Sequence, residues 1–291
     1  MAKYLDPFGA VTPKGQPDRH FKRGHMRYSM AAIMIVLSAV CLSRGDITVP
    51  SPEREAIERI LGQVSVDNLR RTLADLERFE ARFTRHQQNN VADYLCQRLS
   101  GDGLEVGVQE YQHGHELWRN VVVTFTGNRN PAEIFMVISH YDSIASQPEG
   151  PAPGADDNGT GTAAGLEIAR VLKGVSLSST VKIVFFSNEE QGRAGSKHYA
   201  GNARIANETI RGVVNLDVIG YNDPRGSLAL PNLWKEPLKT IKGYALSSFS
   251  PRGKVTIAGR PSETGLVNKA ASALEAFTAL KAHKDIREDC G

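Results

Sequence analysis

The chain has 291 residues, of which 41% are hydrophobic and 23% are charged, a composition typical of a globular protein with a sizeable core. The formal net charge of +3 is small and much of the basic excess lies in the first 27 residues, so the sequence gives no sign of nucleic-acid binding. The three cysteines, Cys41, Cys96 and Cys290, are too few for a cysteine-based zinc site. Two states of Cys96 stay open, a free and buried thiol or a disulfide with Cys290 in an oxidising compartment.

Residues 1–44 are predicted to be a basic tail with a signal peptide or anchor, and residues 45–291 to be one catalytic domain. The apolar segment Met30–Leu42 is shorter than the roughly 20 residues of a bilayer span and suits a signal peptide better. Cleavage after Cys41 or Ser43 would export the protein to the periplasm or the exterior. An uncleaved membrane anchor and a lipid anchor at Cys41 stay open, and this segment is the only membrane contact that we expect.

Three helices are expected to open the domain. The first begins near Ser51, the second is capped by Ser65, and the third covers Asn90–Leu99. Steps of three and four between apolar residues predict one buried face on each helix. In the second helix the apolar positions are Leu69, Leu73, Leu76, Phe79 and Phe83.

Short apolar segments then alternate with helical patterns. Leu104–Tyr111 and Asn120–Phe125 are predicted strands, the first with one wet face. Three further segments lack alternation, as in strands buried on both faces, namely Ile134–Ile138, Val181–Phe186 and Gly212–Asp217. Helices are predicted at Thr162–Leu172 and Leu266–Leu280. This order predicts an α/β fold with a mixed, mostly parallel sheet sandwiched between helices.

Side chains able to bind a metal follow these strands. His140 and Asp142 are two residues apart, so in extended backbone they leave on the same side, as a metal ligand and the carboxylate that orients its ring would. Glu189 and Glu190 follow the strand VKIVFF and must diverge in direction. One of them can therefore bind metal while the other acts as a general base on the same water.

The loop PGADDNGTG, residues 153–161, supplies two more carboxylates. Its small residues allow a tight fold that brings acidic side chains close to a cation. We expect Asp157 to be an acceptor that stabilises the loop rather than a ligand. Because strand ends meet at one edge of a parallel sheet, these groups and Asp217 predict a metal site there.

The sequence contains four motifs in this order: His140-Tyr141-Asp142-Ser143, residues 154–161 (GADDNGTG), residues 188–196 (NEEQGRAGS) and residues 215–221 (NLDVIGY). Together they resemble the motifs of the zinc aminopeptidases of peptidase family M28. The similarity runs from about Asn68 to Tyr221, and residues 221–291 diverge.

The resemblance implies a zinc exopeptidase of the phosphorylase/hydrolase-like fold with two zinc ions. It implies that Asp156 bridges the two ions, that His140 and Asp217 hold one of them, and that Glu190 binds the other. Two metals about 3.5 to 4 Å apart are the usual arrangement for such hydrolysis.

The resemblance also implies the catalytic roles. Glu189 would be the general base that activates the attacking water, and Asp142 would hydrogen-bond the ring of His140. The substrate would be a peptide with a free amino terminus that docks near the metals.

One family feature is missing from the sequence. Family members of this type complete the second zinc site with a C-terminal histidine in a Ser-Asp-His segment, and this chain has no such segment. Past Asp217 the only histidine is His283, which we place near the end of a helix between two lysines whose charge opposes zinc binding. The site of Glu190 is therefore expected to bind metal more weakly than the site of His140.

Several functions stay open beside the aminopeptidase. A catalytically silent domain of the same fold would explain the missing histidine, although such a scaffold has no need of Glu189. A carboxypeptidase or dipeptidase would use the same metals, but no arginine is identifiable that would bind a terminal carboxylate. Glutaminyl cyclases resemble this fold with a single zinc, and they rely on the histidine that is missing here.

Overall fold

The computed structural model describes residues 51–144, 151–220, 254–277 and 281–286. The helices are α1 Ser51–Leu61, α2 Val66–Glu77, α3 Arg85–Gly101, α4 Gly161–Leu172, α5 Ala194–Ile205 and α6 Thr264–Phe277. The strands are β1 Val106–His113, β2 Glu116–Phe125, β3 Asn130–His140, β4 Ser179–Phe186, β5 Thr209–Asn215, β6 Lys254–Gly259 and β7 Lys281–Ile286. The predicted signal segment Met30–Leu42, Cys41 and Cys290 lie outside the described residues.

The first five strands form one mixed sheet in the order β1-β2-β4-β3-β5. β3 runs parallel to both β4 and β5, whereas β2 pairs antiparallel with β1 and with β4. This arrangement confirms the predicted α/β class. One detail was wrong, because β5 is the last strand in the order and its residues are half-buried or exposed, not buried on both faces.

Helices cover both faces of the sheet. On one face, Leu95 of α3 and Ile168 of α4 belong to the main core together with Phe185 of β4, and all three are buried. On the other face, Tyr199 of α5 packs in a second cluster with Met136 of β3. β4 and the second half of β3, two of the apolar strands predicted from the sequence, are thus buried between two helical layers.

Side-chain caps fix the starts of two helices near the site. The hydroxyl of Ser65 accepts from the amide of Asn68, which confirms the predicted cap of α2. Thr84 and Gln87 form a reciprocal capping box. This box starts α3 at Arg85, ahead of the predicted start at Asn90, because it satisfies amides that an uncapped helix end leaves unpaired.

α2 ends at Glu77, although the apolar pattern runs on to Phe83. Glu80 has a φ of +58°, a left-handed conformation that cannot continue a right-handed helix. The connection between α2 and α3 turns instead toward the loop after β3, where the amide of Ala152 donates to the carbonyl of Glu80 over 2.8 Å.

One helix of the structure was not predicted from the sequence. In α5 few residues are apolar, and only Gly195, Tyr199 and Ala203 are buried.

The C-terminal part also differs from the prediction. His283 does not lie near a helix end: it lies exposed on β7, which pairs in parallel with β6. The segment of β7, KAHKDI, holds three charged residues and has no apolar alternation, so the sequence pattern did not reveal the strand.

Among the helices of the described residues, none combines the length and the apolar character that crossing a bilayer requires. Cys96 is half-buried on α3 as a free thiol.

Truncation of the core should destabilise the domain strongly. Leu95 is fully buried in the main core, so Leu95→Ala should lower the free energy of unfolding by about 2 to 5 kcal/mol. Leu117 on β2 is 49% exposed, so Leu117→Ala should change the free energy of unfolding by about 0.5 kcal/mol or less. Urea unfolding of both variants checks this, and equal losses would contradict the packing described.

Candidate metal centre

The carboxyl ends of the three parallel strands place the predicted side chains at one edge of the sheet. His140 is the last residue of β3 and is 4% exposed. Glu189 and Glu190 follow the end of β4, and Asp217 follows the end of β5. Parallel strands end at the same edge, which is why residues so distant in sequence meet.

His140, Asp157 and Asp217 form a group in which one ligand atom of each lies within 4.8 Å of the others. Nε2 of His140 lies 3.2 Å from Oδ1 of Asp157 and 3.6 Å from Oδ1 of Asp217. Both carboxylates are partly open to solvent, with 54% and 42% of their side-chain surface exposed. In the described part of the chain this is the one group of three such side chains, and neither Glu190 nor His283 belongs to it.

The two aspartates of the acidic loop are exchanged relative to the positions expected from the sequence. Asp157, predicted to stabilise the loop, faces His140. Asp156, predicted to be the metal ligand, accepts a hydrogen bond from the amide of Gly220 over 2.8 Å and one from the hydroxyl of Thr160 over 3.1 Å. Asp156 therefore ties the loop to the segment after β5.

Asn158 strengthens the same connection. It is fully buried, its amide group donates to the carbonyl of Leu216 over 2.8 Å, and its carbonyl oxygen accepts from the amide of Gly161. Next to Asp217, Val218 has a φ of +49°, which is costly for a β-branched residue. The bonds of Asp156 and Asn158 on either side hold this strained segment and so fix the position of Asp217.

Asp142 is fully buried and joins the ends of β3 and β4. Its two oxygens accept from the backbone amides of Glu189, over 3.1 Å, and Glu190, over 3.0 Å. Nδ1 of His140 lies 3.4 Å from Oδ1 of Asp142 but forms no hydrogen bond, so the expected bond between them is not made. The carboxylate of Asp142 is held instead against the Glu189-Glu190 segment by these two hydrogen bonds.

Two buried side-chain amides, those of Gln88 and Asn188, hold the Glu189-Glu190 segment from the other side. The side chain of Gln88 accepts from the amide of Asn188 over 3.1 Å and donates to its side-chain oxygen over 3.2 Å. The side-chain amide of Asn188 also donates to the hydroxyl of Tyr111 over 2.8 Å. Asn188 has a φ of +54°, a conformation that asparagine tolerates better than most residues, so the chain can turn sharply before the two glutamates.

The electrostatics of the group favour a cation. Burial opposes a charge on His140, but Asp142, Asp157 and Asp217 outweigh it and raise the pKa of the imidazole from 6.5 to about 12. Without metal the ring therefore carries a proton at neutral pH, and a metal ion would displace it.

The two glutamates are also perturbed. Burial raises the pKa of Glu190 from 4.5 to about 7, and the carboxylate of Asp157 adds to the effect. Burial raises the pKa of Glu189 above 4.5 as well; His140 opposes this increase and Asp142 adds to it. Raised carboxyl pKa values of this kind are common in active sites.

Arg82 is a residue of this region that the sequence did not single out. It is fully buried, and its guanidinium donates to the carbonyl of Tyr141, between His140 and Asp142, over 2.7 Å. Burial lowers the pKa of Arg82 to about 10 although Asp142 opposes the decrease, so the guanidinium is still charged at neutral pH. From the sequence alone, an arginine in the segment FEARFTR is expected to be a solvated surface charge, and no pattern there distinguishes Arg82 from the other arginines.

The group fits zinc by its chemistry. Zinc takes imidazole nitrogen and carboxylate oxygen, the atoms that His140, Asp157 and Asp217 gather at one point. With a metal on Nε2, the ring proton would be on Nδ1, which is buried without a hydrogen bond and faces Asp142. A carboxylate in that position commonly orients a metal-binding histidine.

The raised pKa of Glu190 should make the metal-free protein less stable as pH rises. Between about pH 4.5 and 7 the folded chain holds a proton that the unfolded chain has released, so the stabilisation is complete below pH 4.5 and is lost as pH rises through about 7. In Glu190→Gln this contribution disappears, and the free energy of unfolding should fall less over that range. Denaturant unfolding at several pH values in excess chelator checks this, and identical slopes in both proteins would contradict it.

The chain matches the model of peptidase family M28 over residues 120–269, just over half of its length. It is 28% identical over 261 residues to a probable zinc metalloprotease of Leptosphaeria maculans, covering 81% of this chain and 58% of that protein. It is 30% identical over 183 residues to leucine aminopeptidase 1 of Arthroderma otae, covering 57% of this chain and 48% of that one. The chain thus spans about half the length of the curated relatives it matches.

Solved structures show the same fold. The LapA aminopeptidase of Legionella pneumophila superposes with a TM-score of 0.64 at 18% identity, covering 84% of this chain and 60% of that one. LapB of the same organism superposes with a TM-score of 0.63 at 19% identity, covering 86% of this chain and 62% of that one. Together with the match to the family model and the motifs at the ends of the parallel strands, these findings establish that the chain belongs to peptidase family M28.

Proposed function

We propose that this chain is a zinc-dependent aminopeptidase. The observation that carries the proposal is the group of His140, Asp157 and Asp217 beside Glu189, whose backbone amide is held by the buried Asp142. A metal-binding group and a glutamate with a raised pKa at one sheet edge are what metal-assisted hydrolysis of a peptide bond requires.

His140, Asp157 and Asp217 would hold the zinc ion, so Asp157 would be the ligand from the acidic loop in place of Asp156, which the resemblance implied. Zinc in that position supplies a Lewis acid that polarises the scissile carbonyl and makes water more acidic. Glu189 would take the proton of the attacking water and return it to the leaving amine, and burial raises the pKa of its carboxyl group above 4.5, the direction that favours a general base. Asp142 keeps Glu189 and Glu190 in place through their amides.

The proposed substrates are peptides with a free amino terminus. The names of two similar proteins support this, since one is a leucine aminopeptidase and one an aminopeptidase of the same fold. Ionised carboxylates at this edge of the sheet would attract the positively charged terminus.

One zinc ion is the proposed minimum. Glu190 retains the role of ligand to a second ion, but His283 lies exposed on β7 and outside the described metal-binding group. We propose that this second ion binds more weakly than the first. Export through the segment Met30–Leu42 is part of the proposal on the sequence alone.

Loss of the general base should slow hydrolysis strongly without loss of zinc. Glu189→Gln should lower kcat on leucine 4-nitroanilide by about 10²-fold or more, since general acid–base catalysis contributes about 10² to 10⁴-fold. Its zinc content should equal that of the unchanged protein. Glu110→Gln, at an exposed position on β1, is the matched control and should keep full activity.

The result separates the open functions. Full activity of Glu189→Gln would contradict the proposed mechanism, and a zinc-loaded chain without any activity would favour the catalytically silent domain. Acetylation of the substrate's amino group should stop cleavage by an aminopeptidase. Continued cleavage would contradict recognition of a free amino terminus.

A further inference from the structure

Arg82 lies in the connection between α2 and α3 and is fully buried. Its guanidinium donates to three backbone carbonyls in the connection between β3 and α4, one in the loop just after β3 and two in the acidic loop. Nε donates to Tyr141 over 2.7 Å, Nη2 donates to Gly154 over 2.9 Å, and Nη1 donates to Pro153. One planar side chain thus connects the loop after β3 with the acidic loop.

The backbone of the same residue adds a second connection through Ser143. The amide of Arg82 donates to the hydroxyl of Ser143 over 3.1 Å, and the amide of Ser143 donates to the carbonyl of Arg82 over 3.2 Å. The hydroxyl of Ser143 in turn donates to the carbonyl of Ala152 over 2.6 Å. Both loops are therefore held to the α2–α3 connection at several points.

These loops carry two members of the metal-binding group. Tyr141 follows His140 directly, and Gly154 precedes Asp157 by three residues. Gly154 has a φ of +48°, and a Cβ atom there would lie 2.6 Å from Nη2 of Arg82, so the acidic loop approaches the guanidinium as closely as glycine permits.

The guanidinium has no ion-pair partner within 4.0 Å among the described residues. Burial of a charge whose side-chain hydrogen bonds all go to neutral carbonyls is costly, and a neutral core residue would avoid that cost. A fork of five donors is, however, the one side chain that can reach three carbonyls on two loops at once.

We propose that Arg82 is a positioning residue of the metal centre, which fixes the loops of His140 and Asp157 at the spacing that one zinc ion requires. This inference rests on the proposed function, because it presupposes that the group binds zinc. Hydrogen bonding and charge act in opposite directions here: the hydrogen bonds favour zinc by fixing its ligands, whereas a nearby positive charge repels it.

Two substitutions separate these effects. Arg82→Lys keeps the charge but has a single nitrogen that cannot serve three carbonyls, and Arg82→Met removes both charge and donors. In both variants the zinc affinity of the folded, metal-free chain should fall by about 10 to 100-fold, the usual effect of losing a residue that orients metal ligands. Competition against a chromophoric chelator measures it, and unchanged affinity in Arg82→Lys or raised affinity in Arg82→Met would overturn the proposal.

Arg170 provides the matched control. It is part-buried on α4 and donates to Glu167 and to the carbonyl of Gln63. Arg170→Lys should lower stability without changing zinc affinity, which separates a general loss of packing from a loss of ligand position. An equal fall in zinc affinity in Arg170→Lys would overturn the assignment of a specific role to Arg82.

If neither Arg82 variant folds, Ser143→Ala decides the question. It removes the hydroxyl between Arg82 and Ala152 and leaves the guanidinium in place. Its zinc affinity should fall by a smaller factor, and affinity equal to that of the unchanged chain would overturn the proposal. If the unchanged chain itself binds no zinc, the proposed function fails, whereas normal zinc binding with unaffected variants contradicts only the role of Arg82.

Discussion

The parallel pairing of β3 with β4 and β5 is the constraint on which the site depends. In these ladders His140 lies opposite Phe186, and Ile138 lies opposite Asn215. The register therefore fixes how far each strand extends before its chain turns into a loop of acidic residues. A slip of one residue would direct every side chain of a strand to the other face. The helical layers oppose such a slip, because it would expose the apolar residues that both cores bury.

Folding brings several carboxylates close together at the ends of these strands, and bringing these negative charges together costs free energy. The raised pKa of Glu190 expresses this cost, as burial and the carboxylate of Asp157 both oppose its ionisation. The charges are held together by neutral backbone groups, above all the amides that bind Asp142 and the amide that binds Asp156. A cation would balance the negative charge of such a site. Because the structure holds the ligands in place without a cation, little conformational entropy is lost when the cation binds.

The sequence predicted the strands and most of the residues at their ends, because each follows an apolar segment long enough to be recognised. It could not distinguish Asp156 from Asp157, since the direction of adjacent side chains in an irregular loop depends on backbone angles such as the φ of −102° and ψ of 100° at Asp157. Arg82 escaped notice because its burial depends on loops about 60 to 70 residues away. His283 was misplaced because the pairing of β6 with β7 leaves no periodic signal. In the last two cases tertiary contacts outweighed the local pattern.

The most direct test of this account is the position of zinc in crystals of the zinc-loaded chain, located by anomalous scattering at the zinc absorption edge. A zinc peak is expected about 2.0 to 2.2 Å from Nε2 of His140 and from one oxygen each of Asp157 and Asp217. A peak bound to Asp156 in place of Asp157 would contradict the ligand set inferred here. The absence of any peak at the ends of β3 and β5 would contradict the metal centre itself.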